Sequence, residues 1–343
     1  MMVTIRDVAE RASVAPMTVS RVINQPDSVS PATRARVEAV IAELRYVPNM
    51  LGQSLRTNRT MVIALVVSDI NNPFAIQQIR SVGEAARERG YTVVFTHTEA
   101  SEKNELDQLR TLIEHRVDGV VLSPVTNRPD SVDFVMGQNV PISVIGYPMP
   151  YNDVDVVRSD SRTAAEELTR YLIGLGHERL AMLSGPREIV TARERTQGFA
   201  AALAAAELEP VSLHHAPYTA DGGYRMMQAV LQADTRPTAV VTANNLIAVG
   251  AARASRDLGV KVPNELSIVT FDDAPSDAVL DPYFTGILQP TAEMAETATR
   301  LLLERVSGDY SGEGREIVLP TRLEVHASTA PPADAGKRGD RTS

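Results

Sequence analysis

From Met61 onward the chain alternates short apolar runs with longer amphipathic stretches, a rhythm that few folds can satisfy. "MVIALVV" (61–67) has no polar break, so it cannot be a strand with one face in water. "AIQQIRSVGEAARERG" follows with helical spacing, and "YTVVFTH", "ELDQLRTLIEHR", "DGVVLS" and "PISVIG" continue the pattern. A second series runs through "RLAMLSG", "GGYRMMQAVLQ", "TAVVTA", "LIAVGAARASRDLG", "LSIVTF" and "AEMAETATRLLLERV". Strands apolar on both faces and joined by helices belong to parallel sheets with crossover helices. The series is too long for one small sheet. It predicts an α/β body over 61–330 made of two doubly wound lobes, with a ligand at the carboxyl ends of the strands between them. Lobe 1 is expected to span roughly 61–160 and 291–320, and lobe 2 roughly 161–290 and 321–330. The tail 331–343 is polar, aperiodic and rich in Pro and Gly, and is expected to be disordered.

The first 47 residues read differently, as three short helices. Thr4 precedes "IRDVAERA", with Asp7 placed for an approximate capping box. "SVA" breaks the pattern, and "PMTVSRVI" follows with Pro16 suited to a first helical position. Ser30 is expected to cap a third helix from Pro31 through "ATRARVEAVIAEL". Val8, Val14, Val19, Val22, Val37, Val40, Ile41 and Leu44 would supply its core. Two short helices with a three-residue turn have the spacing of a helix-turn-helix. Between headpiece and body, residues 48–60 include "PNMLGQSL", a weak helix whose Leu51 and Leu55 share one face and whose Gly52 costs about 1 kcal/mol relative to alanine.

Charge supports the division. The net charge of −9 over 343 residues argues against nucleic acid by itself, but residues 1–60 hold eight arginines against five carboxylates. That +3 end on a −12 remainder fits a DNA-binding arm on a sensing body. The absence of Cys removes disulfides, thiol catalysis and cysteine-ligated metals together. No P-loop, HExxH or GxSxG is present, and the histidines lack metal-ligand spacing, so neither enzyme activity nor a cofactor is expected. The opening "MMVTIRDVAERA" lacks an apolar h-region and no apolar run approaches a membrane span, so a cytoplasmic protein is expected.

"VTIRDVAERASVAPMTVSRVIN", "VSPATRARVEAVIAELRYVPN" and "SLRT" resemble the DNA-binding segment of LacI-family transcriptional regulators. The resemblance continues through "VVSDINNPF", "VDGVVLSP", "LIGLGHERLAMLSGP", "LGVKVPNELSIVTFDD" and "LQPTAEMAETATRLLLERVSG", covering roughly residues 3–328. It implies a helix-turn-helix headpiece, a hinge helix and a periplasmic-binding-protein-like two-lobed domain. By that resemblance "PMTVSRVIN" is the recognition helix in the major groove, with Pro16 and Met17 at the positions that most often choose the operator. Their readout would rest on shape and apolar contact, and Arg21 would supply the guanine contact. Thr4, Thr18, Ser20, Asn24, Ser30 and Thr33 are candidates for phosphate contacts. Ala15 departs from the serine usual in the family. The segment holding Asn49, Gly52 and Leu55 matches the hinge helix, with Leu55 as the minor-groove wedge and Gly52 allowing two hinge helices to approach.

For the effector, the resemblance points to Asn72 and Phe74 in the first strand-to-helix loop, Ser123 at a strand end, and Arg193 on sugar hydroxyls. Asn245 stands where many members have Asp, which leaves Arg193 without a carboxylate and admits an acidic or phosphorylated sugar. Asp273 and Gln289 complete the set, and Tyr218 would close the wall that Gly222 leaves open. The expected protein is a homodimeric repressor of carbohydrate-related genes, released from near-palindromic operator DNA by a sugar, sugar acid or sugar phosphate. Two readings remain beside it: a corepressor-dependent regulator, and a two-lobed binding protein without a transcriptional switch.

Overall fold

The computed structural model describes residues 3–47, 59–128, 130–272 and 283–333. Asn49, Gly52, Leu55 and Asp273 therefore lie outside the described residues, as does the tail beyond 333. The chain divides into two compact units, Met1–Thr60 and Met61–Ser343.

The first unit is three helices: α1 (Ile5–Arg11), α2 (Pro16–Asn24) and α3 (Pro31–Leu44). Thr4 and Asp7 form a complete capping box, Thr4 donating its amide to the Asp7 carboxylate at 2.7 Å. Ser13, with φ of 52°, makes the left-handed turn between α1 and α2. Val8, Val19, Val22, Val37 and Val40 are buried together, with Val14, Ile41 and Leu44 packed against them. Two caps differ from what their residue types offer. Ala15 has no side chain with which to cap α2, and Ser30 sits at the start of α3 without bonding its amides. The Ser30 hydroxyl donates instead to Thr33 Oγ1 at 3.0 Å, so the first turn of α3 is tied side chain to side chain.

The second unit holds two six-stranded sheets. In lobe 1 the elements run β1 (Val62–Val67), α4 (Pro73–Glu88), β2 (Thr92–His97), α5 (Glu102–Glu114), β3 (Gly119–Leu122), α6 (Asp130–Gly137), β4 (Ile142–Ile145) and β5 (Asp155–Ser159). Lobe 2 follows with α7 (Ser161–Gly174), β6 (Leu180–Ser184), α8 (Val190–Ala205), β7 (Ser212–His215), α9 (Ala220–Gln232), β8 (Ala239–Thr242), α10 (Asn245–Asp257), β9 (Ser267–Phe271) and β10 (Thr285–Leu288). The chain then returns to lobe 1 for α11 (Thr291–Ser307) and β11 (Glu316–Leu319), and ends in lobe 2 with β12 (Arg322–Glu324).

Strand order is β11-β5-β4-β3-β1-β2 in lobe 1 and β12-β10-β9-β8-β6-β7 in lobe 2. Every pairing is parallel except β10 with β12. Alternation in β1 feeds both faces. Ile63, Leu65 and Val67 pack under α4 and α11, while Ala64 and Val66 pack on the opposite side with Leu109 and Leu112 of α5. In lobe 2, α9 and α10 approach backbone to backbone. A Cβ on Gly250 would sit 1.9 Å from the Ala220 carbonyl oxygen, so only glycine fits there. The last described segment is pinned as well: His177 bonds the Ala330 carbonyl at 3.0 Å through Nε2, and Ser267 donates to it at 3.0 Å.

Candidate functional site

On the headpiece, α2 presents an exposed face around its uncapped amino terminus. Met17 is 60% exposed, and Pro16, Arg21 and Asn24 are exposed with it, while Val19 and Val22 face inward. Thr18, Ser20 and Thr33 are half-buried, and Thr4 and Ser30 are exposed. Asn24 Nδ2 bonds back to the Ser20 carbonyl at 2.8 Å, which leaves its Oδ1 as the outward polar atom. Arginine pairing narrows the charge available to phosphates. Arg11 is taken by Glu43 at 2.6 Å and Arg34 by Glu38 at 2.8 Å, whereas Arg6, Arg21, Arg36 and Arg45 have no partner among the described residues. Sequence reasoning did not single out Arg6, Arg36 and Arg45; the i,i+4 spacing of Arg34 and Glu38 would have flagged that pair, whereas Arg11 and Glu43 lie 32 residues apart.

In the body, the carboxyl ends of the strands of both lobes enclose a cavity of about 370 Å³, at the small end of ligand sites. Asn72, Phe74, Ser123 and Gln289 line it, and so does Tyr218. Asn72 caps α4, accepting from the Phe74 amide at 3.0 Å, and that bond turns the loop so that Phe74 reaches the cavity wall. Ser123 receives a 3.5 Å hydrogen bond from buried Gln78. Gly222 lies instead inside α9, its amide donating to Thr219 Oγ1 at 3.0 Å.

Arg193 and Asn245 are not among the lining residues, which corrects both expectations. Along α8, Ala192, Arg195, Phe199 and Ala202 share the buried face, and Arg193, Gln197 and Ala200 the exposed one. Arg193 Nη1 accordingly bonds the Glu188 carbonyl at 2.8 Å on the surface. Arg195, 5% exposed, takes the place in the cavity. It donates to the Ala243 carbonyl, lies 4.1 Å from the Phe271 ring centroid, and keeps a buried Nε with no partner. Likewise Asn244 lines the cavity as the N-cap of α10, accepting from the Ile247 amide at 2.9 Å, while Asn245 is buried in the first turn with its Oδ1 on the Leu246 amide. The cap position of α10 was the clue that would have chosen between the two.

Asp272, just past β9, is the carboxylate that the sequence left out. It is buried in the cavity wall with a left-handed φ of 64°, which Asp tolerates better than most residues. Burial raises its pKa; the Arg195 cation and a hydrogen bond from Gln289 pull it down without overcoming burial. Gln289 also accepts from Ser159 at the end of β5, so its amide spans the two lobes. On the opposite side, the buried hydroxyl of Tyr218 has no hydrogen-bond partner. Burial raises the Tyr147 and Tyr218 hydroxyl pKa values; for Tyr147 the neighbouring Tyr218 adds to this, and the Arg195 cation works against it for both. Chemically, Arg195, Asn244, Asp272 and Gln289 can exchange hydrogen bonds with a hydroxyl-rich ligand whose flat faces the rings cover. Among the described residues no cluster of His, Asp and Glu could hold a metal ion, and no helix is long and apolar enough to cross a membrane.

Residues 60–310 match the family described as periplasmic binding proteins and sugar binding domain of LacI family, and residues 4–49 the bacterial regulatory proteins, lacI family. The chain is 33% identical to the ribose operon repressor of Escherichia coli (strain K12) over 94% of its length and 99% of that protein. It is also similar to the solved transcriptional regulator CelR–cellobiose complex, at 34% identity and TM-score 0.72 over 95% of this chain and 99% of that one. The lac repressor dimer bound to operator and the anti-inducer ONPF superposes at TM-score 0.84, with 29% identity over 96% of this chain and 100% of that one. A helix-turn-helix headpiece joined in one chain to a two-lobed cleft, matched in order by both family models and by a full-length relative, places the protein in the LacI family of bacterial transcriptional regulators.

Proposed function

We propose that this regulator is a homodimeric cytoplasmic repressor that holds a near-palindromic operator and releases it when an uncharged sugar fills the cleft. The observation that carries the ligand class is that Asp272 and Arg195 line the same cavity within electrostatic reach of each other. Because a carboxyl group lines the same cavity within electrostatic reach of the arginine, the site offers little net positive charge to a sugar acid or sugar phosphate. Neutral hydroxyls, in contrast, can donate to Asp272 and accept from Arg195 Nε and Asn244. The relatives' names, a ribose operon repressor and a cellobiose complex, support a sugar. The dimer is supported by β2, an edge strand among the described residues, with Val94 and Phe95 exposed on it and Ile76 exposed on α4. Two-fold symmetry of such a dimer requires two matching half-sites.

Selection of bound duplexes from a random pool, followed by gel-shift titration with neutral sugars, sugar acids and sugar phosphates, tests the reading. A neutral sugar is expected to release the selected duplex. Tighter DNA binding with sugar would make the protein a corepressor-dependent regulator, and release by a sugar phosphate alone would overturn the uncharged-ligand reading. In the same assay Leu55→Ala is expected to weaken operator binding at least tenfold, about 1.4 kcal/mol, by removing the proposed minor-groove wedge. Unchanged operator affinity would remove that role from Leu55.

A further inference from the structure

We infer that Glu105, which does not line the cavity, is a positioning residue for the ligand: its side chain holds in place the lobe 1 wall formed by Ser123, Pro124 and Val125. This rests on the sugar reading above and adds to it a residue that touches no ligand. Glu105, Leu109 and Leu112 are the buried residues of α5, spaced so that they share one face. The stripe that packs on Ala64 and Val66 therefore opens with an acid where an apolar residue would fit. Glu105 is 3% exposed, and burial raises the pKa of its carboxyl group. Bonds from Ser131 and the Val125 amide pull it down, and the nearby Glu102 adds to the rise. An acid kept in an apolar stripe against that penalty is the kind of local misfit that a site imposes.

The wall it holds is short. β3 ends at Leu122, and the next three residues line the cavity. Each face of the sheet sends one buried polar side chain to them. From one face Gln78, which shares the buried side of α4 with Ala75, Val82 and Ala86, donates Nε2 to the Ser123 hydroxyl at 3.5 Å. From the other, Glu105 Oε2 accepts from the Val125 amide at 2.7 Å, and Ser131 in the first turn of α6 bonds the same carboxyl group. The shorter bond goes to backbone, so it fixes the path of the chain and not merely one side chain. A further tie of this loop to α5, Arg128 to Glu102 at 3.1 Å, joins two exposed side chains and adds little.

Hydrogen exchange over residues 123–128 and titration with D-ribose and cellobiose, both on the full chain, test this with three variants. Glu105→Gln keeps the reach and an acceptor, and should retain slow exchange at Val125 and sugar affinity within threefold of the wild type. Glu105→Asp keeps the charge but is one methylene short. Exchange at Val125 should rise at least tenfold in it, and sugar affinity should fall at least tenfold. Glu105→Leu suits the stripe and removes the acceptor. It should bind as weakly as Glu105→Asp while unfolding at no lower urea concentration than the wild type. Wild-type affinity in Glu105→Asp, or equal weakening in Glu105→Gln and Glu105→Asp, would overturn positioning by reach. An affinity loss in Glu105→Leu that only tracks a fall in its urea midpoint would make Glu105 a structural residue and overturn the inference too. Failure of both sugars to bind the wild type would count against the sugar reading alone, and the exchange pattern would then decide. Fast exchange in Glu105→Asp and Glu105→Leu but not in Glu105→Gln upholds the wall, and the same exchange in all three overturns it.

Discussion

Asp155 in lobe 1 and Asp272 in lobe 2 are both buried carboxyl groups in the field of an arginine, yet their surroundings differ in almost every respect. Asp155 accepts from Arg305 Nε at 2.7 Å and Nη2 at 2.9 Å, and from the Arg315 amide, Nε and Nη2 at 2.9, 3.1 and 3.0 Å. Both arginines pack on the Tyr310 ring, with Arg315 3.9 Å from its centroid. Burial alone would raise the Asp155 carboxyl, but those bonds overcome it and hold the pKa at about 2. Asp272 accepts one bond from Gln289, stands near an arginine with an unpartnered Nε, and stays above the ordinary carboxylate value. The first carboxylate is saturated by its own fold and clamps β5, α11 and β11 together. The second is left short of partners in the wall of a cavity where a ligand can supply them. Saturation marks a structural charge, and deficit marks a functional one.

Removing each carboxylate should therefore break different things. Asp155→Ala leaves two arginines facing a buried gap and is expected to destabilise the body by about 3–5 kcal/mol, read as a loss of midpoint in urea unfolding. A loss below about 1 kcal/mol would mean that the cluster is an ornament of lobe 1. Asp272→Asn is expected to cost at least a hundredfold in sugar affinity, about 2.7 kcal/mol, with the unfolding temperature of the free protein unchanged or higher. Arg193→Ala serves as its control and should leave ligand affinity within twofold, while Arg195→Ala abolishes it.

Acid sharpens the comparison because the two groups have opposite linkage. The folded pKa of Asp155 lies below its ordinary 3.8, so its stabilisation is present above that value and is lost as pH falls toward 2, a loss of about 2 kcal/mol. Asp272 has its pKa raised, so its contribution is most favourable at low pH and is lost as pH rises through the folded value. Thermal unfolding between pH 2 and 7 should show Asp155→Asn flattening the acid limb, and Asp272→Asn gaining on the wild type as pH rises. Parallel curves for the two variants would erase the distinction. The smallest effect belongs to Ser159→Ala, which leaves the Gln289 carbonyl without its donor and should cost about 1 kcal/mol, seen as a severalfold loss of ligand affinity.

Much of the scaffold was legible. The uninterrupted run at 61–67 became β1, an interior strand of a parallel sheet, and the helical spacing of the stretches that became α4 and α11 supplied the faces that cover it. Elements that carry charge or pack on both sides were harder to read. β5 contains Asp155 and Arg158 and lacks an apolar run, and α8 is buried by small residues with little amphipathic contrast. The site was legible in its loops and misplaced by one or two residues within them. Arg193 and Arg195 sit in one motif, "TARERT", and their two-residue offset puts them on opposite sides of a helix.

By itself, then, the sequence determined the order of elements, the separation of a basic reading head from an acidic two-lobed body, and the loops that would meet a ligand. Those follow from local periodicity, capping residues and the charge carried by each segment, which are properties of neighbours in the chain. Only the tertiary structure decided that Asp272 and Arg195 line one cavity, that Gln289 spans the lobes to Ser159, and that Asp155 is saturated by two arginines from distant segments. Whether a charge is spent or spare depends on partners brought close by folding, and sequence separation says nothing about that distance.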